Sequence, residues 1–228
     1  MRTFVMGDIH GAYRALLQCL QRAQFNYASD RLIVLGDVCD GWPETRQAID
    51  ELLKLKHLIY ILGNHDYWTL EWMLFNDRKP LWTKQGGAAT LASYNFQPDE
   101  EHKRFLNEAL PYFVLDNRLF VHGGFNPRQP LEQQPVETLI WHRDLAYMAL
   151  DFYFKGMDVK LTSFDEVYLG HTPIPFDRPV YSCGIWLMDT GAGWSGVLSM
   201  MNIDTKETFV SDPVPSLYPD VPPRSKAK

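Results

Sequence analysis

Aspartate, histidine and asparagine recur in this chain wherever a short apolar run ends. Asp8 and His10 stand in GDIHG, Asp37 and Asp40 in GDVCDG, Asn64 and His65 in GNHD, His122 in VHGG and His171 in GHT. Carboxylates, imidazoles and an amide carbonyl are mixed nitrogen and oxygen donors, a set that suits first-row divalent metals better than a thiolate site would. The donors outnumber what one ion needs. Two ions sharing a carboxylate is the economical arrangement, and Asp37 is the natural bridge because its strand should lie beside that of Asp8. Taken singly, an aspartate after a strand is more often a helix cap or turn residue; only the recurrence points to chemistry.

The elements that must position these groups follow a simple pattern. TFVM, RLIVL and LIYIL read as strands, and AYRALLQCLQRAQF and PETRQAIDELLKL read as the helices between them, the second opening on Pro43. A β-α-β-α-β order implies parallel strands with right-handed crossovers. Open α/β sheets place their sites beyond the carboxyl ends of such strands, where these polar residues fall. Residues 67–110 read as mostly helical and rich in tryptophan. From about residue 112 short strands dominate, from YFVLD to ETFVS, and suggest a second, more antiparallel sheet with a tight turn at Asn117 and Arg118. A helical excursion falls near 137–155. The expected organisation is a single domain over 1–212 and a proline-rich tail over 213–228, extended or disordered.

Composition narrows the function classes. The 228 residues are 46% hydrophobic and 22% charged, with a formal charge of −6, so a sizeable core is possible. The acidic balance and the lack of a basic stripe argue against a nucleic-acid partner. Cys19, Cys39 and Cys183 are widely spaced, which suggests reduced thiols. No leader and no membrane-length apolar run is read, so the expectation is a cytoplasmic protein without a membrane partner. Oligomeric state is not legible.

The ordered set GDIHG, GDVCDG, GNHD, VHGG and GHT, over about residues 3–192, resembles the calcineurin-like metallophosphoesterases. Within them it looks most like the phosphoprotein phosphatase (Ser/Thr protein phosphatase) branch in its compact bacterial and phage form. The resemblance implies a mixed α/β fold, a four-layer α/β/β/α sandwich of two mixed sheets flanked by helices. It implies Asp8 and His10 as ligands of a first metal, Asp37 as the bridge, and Asn64, His122 and His171 as ligands of a second. Manganese is the first expectation; Fe, Zn, Co or Ni would accept the same donors. His65 matches a general acid, Asp40 the carboxylate that orients it, and Arg143 in IWHRDL a phosphate-binding arginine. The implied reaction is hydrolysis of a phosphomonoester by in-line attack of a hydroxide the metals share. No nucleophilic Cys or Ser motif is present to suggest a covalent route.

The chain departs from the resemblance in its second motif. Gly41 stands where an arginine is expected and Trp42 where a glycine is expected, which makes Trp42 the foremost aromatic candidate for touching substrate. His142, beside Arg143, is a further candidate contact, and Asp189 a candidate support for the site. His57 and His102 read as solvated. Two other functions compete with the phosphomonoesterase: a diadenosine-tetraphosphate-type hydrolase, whose substrate is a nucleotide rather than a phosphoprotein or small phosphoester, and a non-catalytic metal-binding scaffold.

Overall fold

The computed structural model describes residues 1–222. Its first part is the expected alternation: β1 (Thr3–Met6), α1 (Tyr13–Arg22), β2 (Arg31–Val34), α2 (Thr45–Leu52), β3 (His57–Tyr60) and α3 (Asn64–Phe75). A turn of helix, α4 (Pro80–Trp82), runs through a kinked turn at Thr83–Gly87 into α5 (Ala88–Ser93), and α6 (Glu100–Asn107) follows. The second part comprises β4 (Phe113–Leu115), β5 (Arg118–Val121), α7 (Val136–Trp141), α8 (Asp144–Lys155), β6 (Glu166–Leu169), β7 (Val180–Ser182) and β8 (Ile185–Leu187). The chain then adds β9 (Ser199–Asn202), β10 (Thr208–Val210) and α9 (Val214–Leu217).

Two five-stranded sheets form, ordered β10-β9-β1-β2-β3 and β4-β5-β6-β8-β7. β1, β2 and β3 are parallel, and β9 runs antiparallel to β1. In the second sheet β5 is parallel to β6 and β6 to β8, while β4 and β7 are antiparallel edges. The strand period of two explains the layering. Val5, Ile33, Phe120 and Tyr168 point into a shared core between the sheets. Their neighbours Phe4, Met6, Leu32 and Val34 face the core beneath α1, α2 and α3, and Leu119, Val121, Val167 and Leu169 face the core beneath α7 and α8. Helix, sheet, sheet and helix therefore stack as the expected sandwich.

Several boundaries differ from the sequence reading, each for a local reason. The second sheet is mixed, as the resemblance implies, with its antiparallel pairing confined to the two edges. The last two strands leave it altogether: Met200 and Met201 pair with Met6 and Val5, closing the first sheet. Pro43 precedes α2 instead of opening it, because the helix starts only at Thr45. The β4–β5 turn is Asp116–Asn117, one residue earlier than expected; both have positive φ (49° and 57°), as a two-residue hairpin of the primed kind requires. His102 is buried, not solvated: its Nδ1 meets the Tyr94 hydroxyl at 2.7 Å and its Nε2 the Asp50 carboxylate at 3.0 Å. The tail does not hang free over its first half. Val214 and Tyr218 are buried, and the Tyr218 hydroxyl donates to Glu44 and accepts from the Arg14 amide. These two side chains dock the segment, Tyr218 stacking on Trp42 and Val214 joining the core beneath α1. Residues 223–228, the rest of that expected tail, lie outside the described residues.

Candidate metal centre

Parallel β1, β2 and β3 end on one edge of the first sheet, and β5 and β6 end beside it. The turns after these five strands carry Asp8 and His10, Asp37 and Asp40, Asn64 and His65, His122, and His171. All eight are buried. Backbone bonds tie the turns to one another: the amides of Ile9 and His10 donate to Asp37 O at 3.0 and 2.8 Å, and Gly170 N donates to His122 O at 2.9 Å. His10, Asp37, Asp40 and His171 all have positive φ, between 51° and 70°. Left-handed backbone at these non-glycine residues re-aims each turn sharply after its strand. Close approach is built in as well. A Cβ on Gly63 would lie 2.1 Å from Asp37 Oδ1, so only glycine lets the third turn pass the Asp37 carboxylate.

The side chains converge on Asp37. Candidate ligand atoms of His10, Asp37 and His65 lie within 4.8 Å of one another, and so do those of Asp37, His122 and His171. Asp37 belongs to both groups. His122 Nε2 is 3.4 Å from Asp37 Oδ2 and 3.0 Å from Asn64 Oδ1, and His10 Nε2 is 3.8 Å from Asp37 Oδ2 and 3.9 Å from Asp8 Oδ2. Second partners hold the rings: His122 Nδ1 donates to Leu35 O at 2.6 Å, and His10 Nδ1 to Cys39 O at 3.1 Å. His65, expected as a proton donor, joins the first group but turns its Nδ1 to Asp40 Oδ2 at 2.7 Å. Arg143 donates from Nη1 to His171 O at 2.7 Å.

The residues fit metal ions. Burial would push the Asp37 carboxyl up, but His122 and His65 hold it well below the usual carboxylate range. Burial would push His122 down, yet the facing Asp37 carboxylate holds it up, at about 9. Burial, and then the His122 charge, press His171 down to about 2, so its ring is neutral; its Nε2 is buried without a hydrogen-bond partner. Burial, and then the Asp189 carboxylate, hold Asp8 well above the usual range. Like charges crowded beside a buried, unprotonated imidazole nitrogen are what a bound cation relieves.

Around these donors lies a 680 Å³ cleft, lined among others by His65, Arg143, Trp141, Phe176 and Trp194. Arg143 is the only lysine or arginine among its described lining residues. Asp189, the candidate support, also lines it. Trp42 does not. It is buried, donates its Nε1 to Ala192 O at 2.7 Å and stacks on Tyr218 at 5.1 Å, because the left-handed turn at Asp40 and Gly41 sends the chain inward. Two aromatic residues stand beside the donors: Trp68, 5.3 Å from His65, and Trp141, 5.9 Å from His171. Sequence reading passed Trp141 over, although its place beside the arginine in IWHRDL was a usable signal. His142, on the same segment, faces a different cleft beside Phe125 and Asp144. Trp82 reads from the sequence only as an aromatic of the core or cleft wall, and no signal there marks it or Thr90 as donors to Asp40, which both are.

The family model for calcineurin-like phosphoesterase matches residues 1–184. The chain is 25% identical to a symmetrical bis(5'-nucleosyl)-tetraphosphatase of Pseudomonas fluorescens, over 96% of this chain and 98% of that protein. It is 24% identical to serine/threonine-protein phosphatase 1 of Salmonella typhimurium, over 88% of this chain and 91% of that one. A solved structure of a candidate diadenosine tetraphosphatase superposes with a TM-score of 0.69 at 17% identity, covering 92% of each chain.

Proposed function

The chain belongs to the calcineurin-like phosphoesterase family and is a metal-dependent phosphoesterase, and from that premise we propose that it hydrolyses phosphomonoesters in the manner of serine/threonine protein phosphatases. One observation carries the choice of a single phosphate. Among the described lining residues Arg143 is the one lysine or arginine, and the glycine at 41 adds none. A tetraphosphate bridge would bring several negative charges to a wall that also holds Asp177 and Asp189, and recognition of chained phosphates calls for several charged donors.

Asp8, His10, Asp37, Asn64, His122 and His171 would hold two divalent ions around the shared Asp37. When bound, such ions supply Lewis-acid charge for the phosphoryl oxygens and a water acidic enough to attack phosphorus near neutral pH. The remaining work belongs to the chain. Arg143, held in place by His171 O, keeps guanidinium N–H groups for a phosphoryl oxygen, where a forked, permanently charged donor is strongest. His65 donates Nδ1–H to Asp40, which leaves Nε2 as the atom that hands a proton to the departing oxygen. Trp141 and Trp194 give the cleft apolar walls against the ester's organic part.

Those aromatic walls also favour a second reading, since a nucleobase would stack on them, and the Pseudomonas relative is named for nucleotide hydrolysis. Comparing kcat/KM for a phosphoserine peptide, p-nitrophenyl phosphate and diadenosine tetraphosphate decides between them. Higher values for the monoesters are expected. A preference for diadenosine tetraphosphate would overturn the proposal in favour of the nucleotide.

A further inference from the structure

Asp40 is fully buried, and its carboxylate accepts three side-chain hydrogen bonds. Oδ2 accepts from His65 Nδ1 at 2.7 Å and from Trp82 Nε1 at 2.7 Å, while Oδ1 accepts from Thr90 Oγ1 at 2.8 Å. The Asp40 amide donates back to the same Thr90 oxygen at 2.8 Å. A carboxylate facing one imidazole alone would be free to rotate about its last bond. Two further donors on its remaining lone pairs fix its plane, and with it the ring of His65.

The segment that supplies both donors is shaped to reach Asp40. Trp82 ends α4, Thr90 lies in α5, and the kinked turn between them lets Gly86 O accept from Gly41 N at 3.2 Å, with Gly86 at φ +113°. Gly87 packs flat on the indole; a Cβ there would stand 2.4 Å from Trp82 Cε2. Trp72 supplies the contrast. It packs 6.1 Å from Trp82 in the same core, yet its Nε1 has no hydrogen-bond partner. One indole fills space; the other is aimed at the carboxylate behind His65.

We propose that Trp82 and Thr90 are positioning residues that lock Asp40, and through it His65, for delivery of a proton to the leaving oxygen. This rests on the reading of His65 as the general acid. Placement to within a fraction of an ångström is what such a transfer needs. The donors act through Asp40, so their loss should be felt most where the leaving group most needs protonation.

The test compares phenyl phosphate, a poor leaving group, with p-nitrophenyl phosphate, a good one, in the metal-loaded full chain. Trp82→Phe removes the donor and keeps most of the volume; Thr90→Val removes the hydroxyl, and Thr90→Ser keeps it. Trp82→Phe and Thr90→Val are expected to lower kcat on phenyl phosphate by roughly 10–100-fold, with a much smaller loss on p-nitrophenyl phosphate and little change in KM. Thr90→Ser should retain the wild-type ratio of the two rates. His65→Asn, run beside them, should show the same unequal loss. If His65→Asn is unequal but Trp82→Phe and Thr90→Val lose equally on both esters, the positioning role is overturned and the His65 reading stands. Equal losses in His65→Asn overturn that reading and the proposal with it. A second readout needs no turnover and no metal: the His65 Nδ1 proton should exchange with water faster in both variants, and unchanged exchange would refute the lock. Should Trp82→Phe fail to fold, Thr90→Val and Thr90→Ser decide the matter.

Discussion

Asp66→Asn should unsettle the whole second motif while leaving every candidate metal donor in place. Asp66 is buried at the start of α3, and its carboxylate accepts four bonds. Oδ2 takes the Asp37 amide at 2.7 Å, the Gly63 amide at 3.0 Å and the Tyr60 hydroxyl at 2.7 Å; Oδ1 takes the Cys39 amide at 3.2 Å. An asparagine can keep its oxygen toward the three donors only by aiming its NH₂ at the fourth. The buried Cys39 N–H then loses its acceptor, which costs about 1–3 kcal/mol. The three bonds that survive become neutral ones, weaker by about 1 kcal/mol each. Against this, the burial of a charge and its repulsion by Asp37, which push the Asp66 carboxyl up to about 6, are both relieved, which returns about 1–3 kcal/mol. The net expectation is a loss of roughly 3 kcal/mol, which for a chain of this size lowers Tm by about 6–12 °C. Urea unfolding and calorimetry of the metal-free proteins would measure it. Because the loosened residues lie in the turn of Asp37 and Asp40, Mn²⁺ affinity should also fall by about 10–100-fold. A variant within about 0.5 kcal/mol of wild type, the range of an ordinary surface change, would refute the claim that Asp66 organises this turn.

Other consequences follow from single contacts. Arg143→Ala should lower kcat/KM on p-nitrophenyl phosphate by roughly 10–100-fold, the loss of one charge-assisted bond worth about 1.5–3 kcal/mol, with Arg143→Lys intermediate because it loses the fork. Trp42→Ala should cost about 3–5 kcal/mol in urea unfolding and should expose the chain near Tyr218, whose ring it covers, to limited proteolysis. Burial would push the Glu51 carboxyl up, but bonds from Lys54 and the Tyr27 hydroxyl hold it below its ordinary value. Its contribution to stability is therefore present above the ordinary glutamate range and is lost as pH falls through the folded value; Glu51→Gln should flatten that acid limb in a series of Tm measurements, and an unchanged limb would contradict it.

The strand-end motifs were legible because parallel β-α-β units place successive carboxyl ends on one edge, so residues far apart in sequence share a site by topology alone. That logic reached Asp8, His10, Asp37, Asn64, His65, His122 and His171, whose side chains the fold gathers around Asp37. It failed where position depends on pairing or packing that leaves no local period. β9 joins β1 across nearly 200 residues, and nothing in SMMN marks which sheet it enters. Trp42 sits inside a chemistry-bearing motif, yet left-handed backbone at Asp40 and Gly41 turns it into the core. His102 lies on α6 among charged residues, and its burial follows from Tyr94 and Asp50, partners distant enough that the helix pattern did not reveal them. Tyr218 looked like part of a loose tail because proline content outweighed one aromatic that had a place to dock.

Metal-dependent phosphate ester hydrolysis should run through two ions that share Asp37. The most direct test is p-nitrophenyl phosphate turnover by chelator-stripped protein titrated with Mn²⁺, with bound metal counted in parallel and Asp37→Asn as the comparison. Activity restored by Mn²⁺ as two ions bind per chain, and lost together with metal retention in Asp37→Asn, is the predicted result. Turnover that persists without added metal, or that survives in Asp37→Asn, would contradict it.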